Sequence, residues 1–297
     1  MARWGRVATA MITPFDEEGR VDIDGAVRLA RWLAEHGNEG LVVTGTTGEA
    51  PVLTDDEKVE LWRAVAEAVT IPVVAGSGTY DTRHSVDLTK KAEAAGAAGI
   101  LAVTPYYNRP SQAGLAAHFR AIAEATSLPV MLYDIPFRTG RKIAHDTLVA
   151  LARDVDNIVA VKDAAANPGE TGRLIAAAPR TFEVYSGDDA MTLPLLAVGA
   201  VGVVGVATHW AGEQMLEMVV SFEKGDLARA REINESLVPS FEFETGDDNP
   251  NPVPTKAMLR MLGLPAGTCR LPHVETDGDA LRTAAKAIAE TLGVAVA

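Results

Sequence analysis

The stretch "NIVAVKDA", residues 157–164, decides how this chain is read. Four apolar residues, Ile158 to Val161, have the length and β-branched content of a short buried strand. The strand ends on an amine, Lys162, followed at once by Asp163 and a small-residue loop. Comparable runs recur about every 25 to 30 residues with helical stretches between them, the pattern of repeated βα units around a parallel sheet. They fall at 6–13, 40–45, 72–78, 99–105, 129–136, 157–163, 182–188 and 201–208. Eight such units predict an α/β fold, a (β/α)8 TIM barrel.

The intervening segments "DIDGAVRLARWLAEHG" and "TDDEKVELWRAVAEAV" repeat apolar residues at spacings of three and four, with Asp22 and Thr54 placed to cap them. They read as amphipathic outer helices. Beyond Thr208 the chain reads as helices at 211–223, 226–238, 254–262 and 279–292, interrupted by the acidic, proline-rich "ETGDDNPNPVP". The expected organisation is a barrel over 1–225 that carries the active site and a C-terminal α-helical domain over 226–297.

Composition excludes several classes of function. The 27 basic and 40 acidic residues give a net charge of -13, which repels a nucleic-acid backbone or an anionic membrane surface. Cys269 is the only cysteine and the six histidines show no ligand spacing, so neither a disulfide nor a metal site is expected. Met191 to Gly212 carries no Lys, Arg, Asp or Glu, but Pro194 and four glycines break it, and it reads as a buried helix followed by a buried strand. The apolar run after Arg6 is too short for a signal-peptide core, which makes the cytoplasm the expected location.

In a barrel of this kind ligands bind where the C-terminal ends of the strands meet the βα loops. Those ends are "TGTTGE", "TPYYNRP", "YDIPFRTG", Lys162, "SGDDA" and "GVVGVA". A lysine at a strand end commonly snorkels to water, and here Asp163 stands next to it as a candidate partner. At the end of a central, fully apolar strand the amine instead points into the barrel, where desolvation disfavours its charged form. Lowering a reference pKa of ~10.4 to about 7 or 8 takes roughly 3–5 kcal/mol of environment, and the neutral amine can then attack a ketone to form an iminium. Tyr133 is a candidate proton shuttle, or an ordinary core tyrosine. Thr46 and Thr47, on a glycine-bounded loop, suit a carboxylate, and Arg138 offers a fork to a second one. Asp188 and Asp189 would repel a phosphate where barrels usually bind one, so the substrate is expected to be unphosphorylated.

Taken together, "GTTGE", "TPYYNRPSQ", "YDIPFRTG", "VKDA", "SGDDA" and "NPNPVPTK", in this order from about residue 6 to 275, resemble the dihydrodipicolinate synthase / N-acetylneuraminate lyase family. The resemblance implies a barrel with a C-terminal helical domain, assembled as a homotetramer of two tight dimers. It implies a cofactor-free condensation of pyruvate with L-aspartate 4-semialdehyde in lysine and diaminopimelate biosynthesis. By motif, Lys162 would form the Schiff base, and Tyr133, Thr46 and Tyr107 the proton relay, Tyr107 reaching in from the neighbouring subunit. Thr47 would hold the pyruvate carboxylate and Arg138 that of the semialdehyde, while Gly187 and Val204 would line the pocket. Arg138 and the tandem threonines favour the synthases over the sugar-acid aldolases and dehydratases of the superfamily, the N-acetylneuraminate lyase-like or 2-keto-3-deoxygluconate aldolase-like members. A catalytically inactive keto-acid-binding barrel is disfavoured because the nucleophile and relay are present.

The chain also departs from the family's usual pattern. Gly205 stands where serine is frequent, which predicts a roomier wall, and "DAAANPGE" replaces the usual loop after the lysine. Asp55, Tyr80 and His84 occupy the places of the residues that bind lysine in feedback-inhibited members, which predicts weak or absent inhibition.

Overall fold

The computed structural model describes residues 2–294, so residue 1 and residues 295–297, at the outer limits of the two expected domains, lie outside the described residues. Eight strands, β1 (Val7–Ala10), β2 (Gly40–Val43), β3 (Val73–Gly76), β4 (Gly99–Val103), β5 (Val130–Asp134), β6 (Ile158–Asp163), β7 (Glu183–Ser186) and β8 (Gly202–Gly205), pair in parallel in chain order. β8 returns to β1 with Val203 opposite Val7, closing the expected barrel.

The outer ring comprises α1 (Ile23–Glu35), α2 (Asp55–Ala68), α3 (Thr82–Ala94), α4 (Gln112–Glu124), the short α5 (Pro136–Thr139), α6 (His145–Asp154), α7 (Pro168–Ala177) and α8 (Thr192–Ala197). Four further helices follow: α9 (Thr208–Glu223), α10 (Leu227–Phe243), α11 (Val253–Met261) and α12 (Gly278–Leu292).

The helices start where the capping residues place them. Asp22 accepts the Gly25 N–H at 2.8 Å, and Thr54 and Glu57 form a reciprocal capping box. α1 then buries Ala26, Leu29, Ala30 and Leu33 against the barrel, each leucine contributing about 1.5–3 kcal/mol by leaving water. The strands are shorter than the apolar runs, because the last residues of each run turn into the βα loops. Thr208, read from sequence as the end of the eighth strand, is the first residue of α9.

Met191–Gly212 resolves into α8, β8 and the start of α9; among the described residues no helix is long and apolar enough to cross a membrane. α10 runs past the expected end at 238 and through Pro239. Packing outweighs the donor that proline removes: Ser240 and Phe241 are buried, and Ser240 Oγ accepts the Trp210 indole N–H at 3.0 Å.

Two apolar layers flank the strands. The barrel interior holds Val42, Val74, Leu101, Met131, Tyr133, Ala160, Tyr185 and Val204, with Trp4 packed against Tyr185 at the N-terminal end. Leucine, isoleucine and valine between strands and helices form the second layer. α9 to α12 share a further core with Val7 and Val203, so the C-terminal helices are packed onto β1 and β8. That packing carries residues distant in sequence to the open end of the barrel.

Candidate active site

Strand alternation sorts the ends of β5 and β6 into two pairs. Tyr133 and Lys162 are register partners and face inward; Asp134 and Asp163, the next partners, face outward. Asp163 accepts from Thr171 Oγ1 at 2.6 Å and Ala165 N at 3.0 Å, so it does not serve as a partner for the amine. Asp134 accepts from Lys142 Nζ and Ile143 N, both at 3.1 Å. Beyond completing the ladder, these outward bonds fix the backbone from which the two inward side chains project.

Lys162 is 4% exposed, and its Nζ lies 4.6 Å from the centroid of the Tyr133 ring. Burial lowers its pKa to about 8, with Asp189 and Glu244 opposing part of the fall. The same desolvation pushes the Tyr133 phenol up to about 12, with Arg138 and Thr46 offsetting part of the rise. At neutral pH the phenol therefore holds its proton and the amine releases its own within reach of physiological pH. Gly187, after β7, leaves the room this requires: a Cβ there would lie 2.8 Å from Lys162 Cγ and 3.0 Å from Cε.

Above this pair a cavity of about 320 Å³ opens, lined by Thr46, Leu101, Tyr106, Tyr133, Ile135, Arg138 and Thr139 among others. Thr46, Tyr133 and Arg138 are thus brought to one mouth, while Lys162 lies behind its lining against the Tyr133 ring and Val204 is fully buried in the barrel interior. Thr44 turns the β2 loop with φ 60°, held by the Trp62 indole N–H at 2.8 Å. Thr47 is buried, and its Oγ1 accepts from Asn251 Nδ2 at 3.0 Å. Tyr107 stands apart within this chain: it is 93% exposed and held at φ 73° in the β4–α4 loop. Backbone strain of that kind persists where the surroundings or a function require it.

Several supporting residues carried no reading in the sequence. Glu49, also at positive φ, forms a fully buried 2.7 Å ion pair with Lys256, whose Nζ also donates to Thr268 O. Asn251 and Lys256 sit in the motif "NPNPVPTK", whose chemistry gave no hint that it anchors the β2 loop. The expectation of a roomier wall at Gly205 is overturned, because a Cβ there would lie 2.4 Å from Asp189 Oδ1: the carboxylate fills the space. At the places expected to bind lysine, Asp55 is already bound by His84 at 2.8 Å and Lys91 at 3.3 Å.

A closed parallel barrel that buries an amine beside a phenol at its strand C-termini has the build of a Schiff-base lyase. The family model described as the dihydrodipicolinate synthetase family matches residues 3–291. The 4-hydroxy-tetrahydrodipicolinate synthase of Moorella thermoacetica is 49% identical over 97% of this chain and 99% of its own length; that of Bacillus subtilis is 45% identical over 97% and 99%. Among solved structures, a dihydrodipicolinate synthase of Bacillus anthracis superposes with a TM-score of 0.93 at 42% identity, covering 98% of this chain and 99% of the other. The lysine-bound enzyme of Cyanidioschyzon merolae superposes with a TM-score of 0.95 at 41% identity, covering 99% and 100%. The chain belongs to the dihydrodipicolinate synthetase family.

Proposed function

We propose that Lys162 carries the Schiff base of this enzyme's reaction. The enzyme is a lyase of lysine and diaminopimelate biosynthesis that condenses pyruvate with L-aspartate 4-semialdehyde to 4-hydroxy-tetrahydrodipicolinate. The observation that carries the Lys162 assignment is the buried amine, desolvated toward neutrality with a protonated phenol beside it.

In this reading the neutral amine adds to the pyruvate ketone, and Tyr133 passes protons to and from the carbinolamine, with Thr46 next to its phenol. Loss of water leaves the iminium, which acidifies the methyl group for attack on the aldehyde. Thr47, its oxygen engaged by Asn251, keeps its own O–H free to donate to the pyruvate carboxylate. Arg138 at the cavity mouth receives the carboxylate of the semialdehyde.

Tyr107 completes the relay from a neighbouring subunit of a homotetramer; its exposure in a strained loop supports that assignment. The cytoplasm remains the proposed location, and weak inhibition by lysine belongs to the same reading, so a sub-millimolar inhibition constant would count against it.

A coupled assay separates this chemistry from that of the sugar-acid aldolases. Arg138→Ala should lower kcat/KM for the semialdehyde roughly ten- to hundredfold, the loss of a charge-assisted contact of about 1.5–3 kcal/mol, while leaving pyruvate adduct formation in place. Turnover of a sugar acid with no consumption of the semialdehyde would favour the aldolase reading.

A further inference from the structure

Two carboxyl groups meet where β8 opens, one of them two residues beyond Gly187, the glycine packed against the Lys162 side chain. Asp189 follows β7, and Glu244 ends α10. The Val206 N–H donates to Asp189 Oδ2 at 2.8 Å, and the next amide, Ala207 N–H, donates to Glu244 Oε2 at 3.1 Å. Consecutive amides therefore hold the two carboxyls side by side, and α10 packs on the turn at Asp189–Met191.

Asp189 has no spare room on its Gly205 side, where an added Cβ would collide with Oδ1. That Oδ1 is buried and no N–H or hydroxyl donor reaches it; among the described residues neither carboxyl enters an ion pair. A buried oxygen left without a donor costs about 1–3 kcal/mol, and adjacent carboxylates without a cation do not both stay ionised. A proton on Glu244, donated to Asp189 Oδ1, removes both penalties.

We propose that Asp189 and Glu244 share one proton and one negative charge, and that this single charge is the fixed counter-ion of the iminium formed on Lys162. The inference rests on the Schiff-base reading above. Forming the iminium joins a neutral amine, the pyruvate ketone and one proton and releases water, so the lysine nitrogen goes from neutral to +1. A pair at -1 balances that charge. A pair at -2 would raise the Lys162 pKa and leave less of the reactive neutral amine, and a neutral pair would leave the substrate's own carboxylate as the one negative charge facing the iminium.

The surroundings agree. Asp189 and Glu244 are the strongest charges acting on Lys162, ahead of Arg138 and Asp188, which oppose each other. Burial raises Asp189 to about 6 and Glu244 well above the usual carboxyl range. His209, from α9, is buried and kept neutral, its pKa lowered to about 4. Glu244 is in this sense a positioning residue: it sets the charge of Asp189 and ties the C-terminal helices to the reacting nitrogen.

Two measurements on the full-length enzyme test this. Infrared spectra at neutral pH should show a protonated carboxyl band that shifts in D2O and is lost in Glu244→Gln; persistence of the band would overturn the shared proton. Borohydride trapping of the pyruvate adduct should follow a pH curve broader than one proton in the parent enzyme, because coupled groups titrate together. It should narrow to a one-proton curve in Glu244→Gln, whose amide still donates to Oδ1 and preserves the fold. Asp189→Asn should raise the pyruvate concentration for half-maximal trapping about tenfold, equivalent to one pKa unit; an unchanged value would overturn the counter-ion role. Absence of any adduct on Lys162 would overturn the Schiff-base reading and that role with it, whereas the infrared band reports on the shared proton alone.

Discussion

Replacing Lys162 with methionine should stabilise the protein while it abolishes the chemistry. The amine is 4% exposed, and burial lowers its pKa from 10.5 to about 8. The unfolded chain binds the lysine proton more tightly than the folded one, so stability rises with pH between the two values. Below pH 8 the folded state bears the full penalty, roughly 2.5 pKa units at 1.36 kcal/mol each, or about 3 kcal/mol. Methionine has nearly the same length and carries no charge into the site, so Lys162→Met should recover a large part of this as an increase in Tm of several degrees. Measured by urea or thermal unfolding from pH 6 to pH 10, the advantage of the variant should be greatest at the acid end. It should shrink as pH rises through 8 toward 10.5. A variant less stable than the parent at neutral pH, or an advantage that grows with pH, would refute the claim that the amine is held against its solvation.

Two further substitutions probe the supports of the site. Gly187→Ala places a Cβ 2.8 Å from Lys162 Cγ; at about 1–3 kcal/mol of overpacking it should slow borohydride-trapped adduct formation roughly five- to hundredfold, and trapping at the parent rate would show that the lysine has room to move. Lys256→Met leaves Glu49 as an uncompensated buried charge and should cost about 3–5 kcal/mol in denaturant unfolding. Adding Glu49→Gln should recover most of that loss, and strictly additive losses would deny the coupling.

The barrel was legible because each βα unit announces itself locally: apolar runs of strand length, capping residues such as Asp22 and Thr54, and helical periodicity between them. The burial of Lys162 was legible because its strand is apolar up to the amine. What could not be read depends on pairs far apart in the chain. Glu49 meets Lys256 and Thr47 meets Asn251 only after α9 to α12 have packed against the barrel, and no local pattern encodes that distance. Gly205 shows the opposite error. A glycine suggests empty space, yet its missing Cβ is what admits the Asp189 carboxylate. Pro239 failed as a helix boundary because burial of Ser240 and Phe241 outweighs one missing hydrogen bond.

The most direct measurement is the site of covalent capture. Enzyme incubated with pyruvate, reduced with borohydride and digested should show the added mass on the peptide that contains Lys162, and no adduct in Lys162→Met. An adduct on any other lysine, or none at all while the enzyme turns over, would contradict the role assigned to the amine at the end of β6.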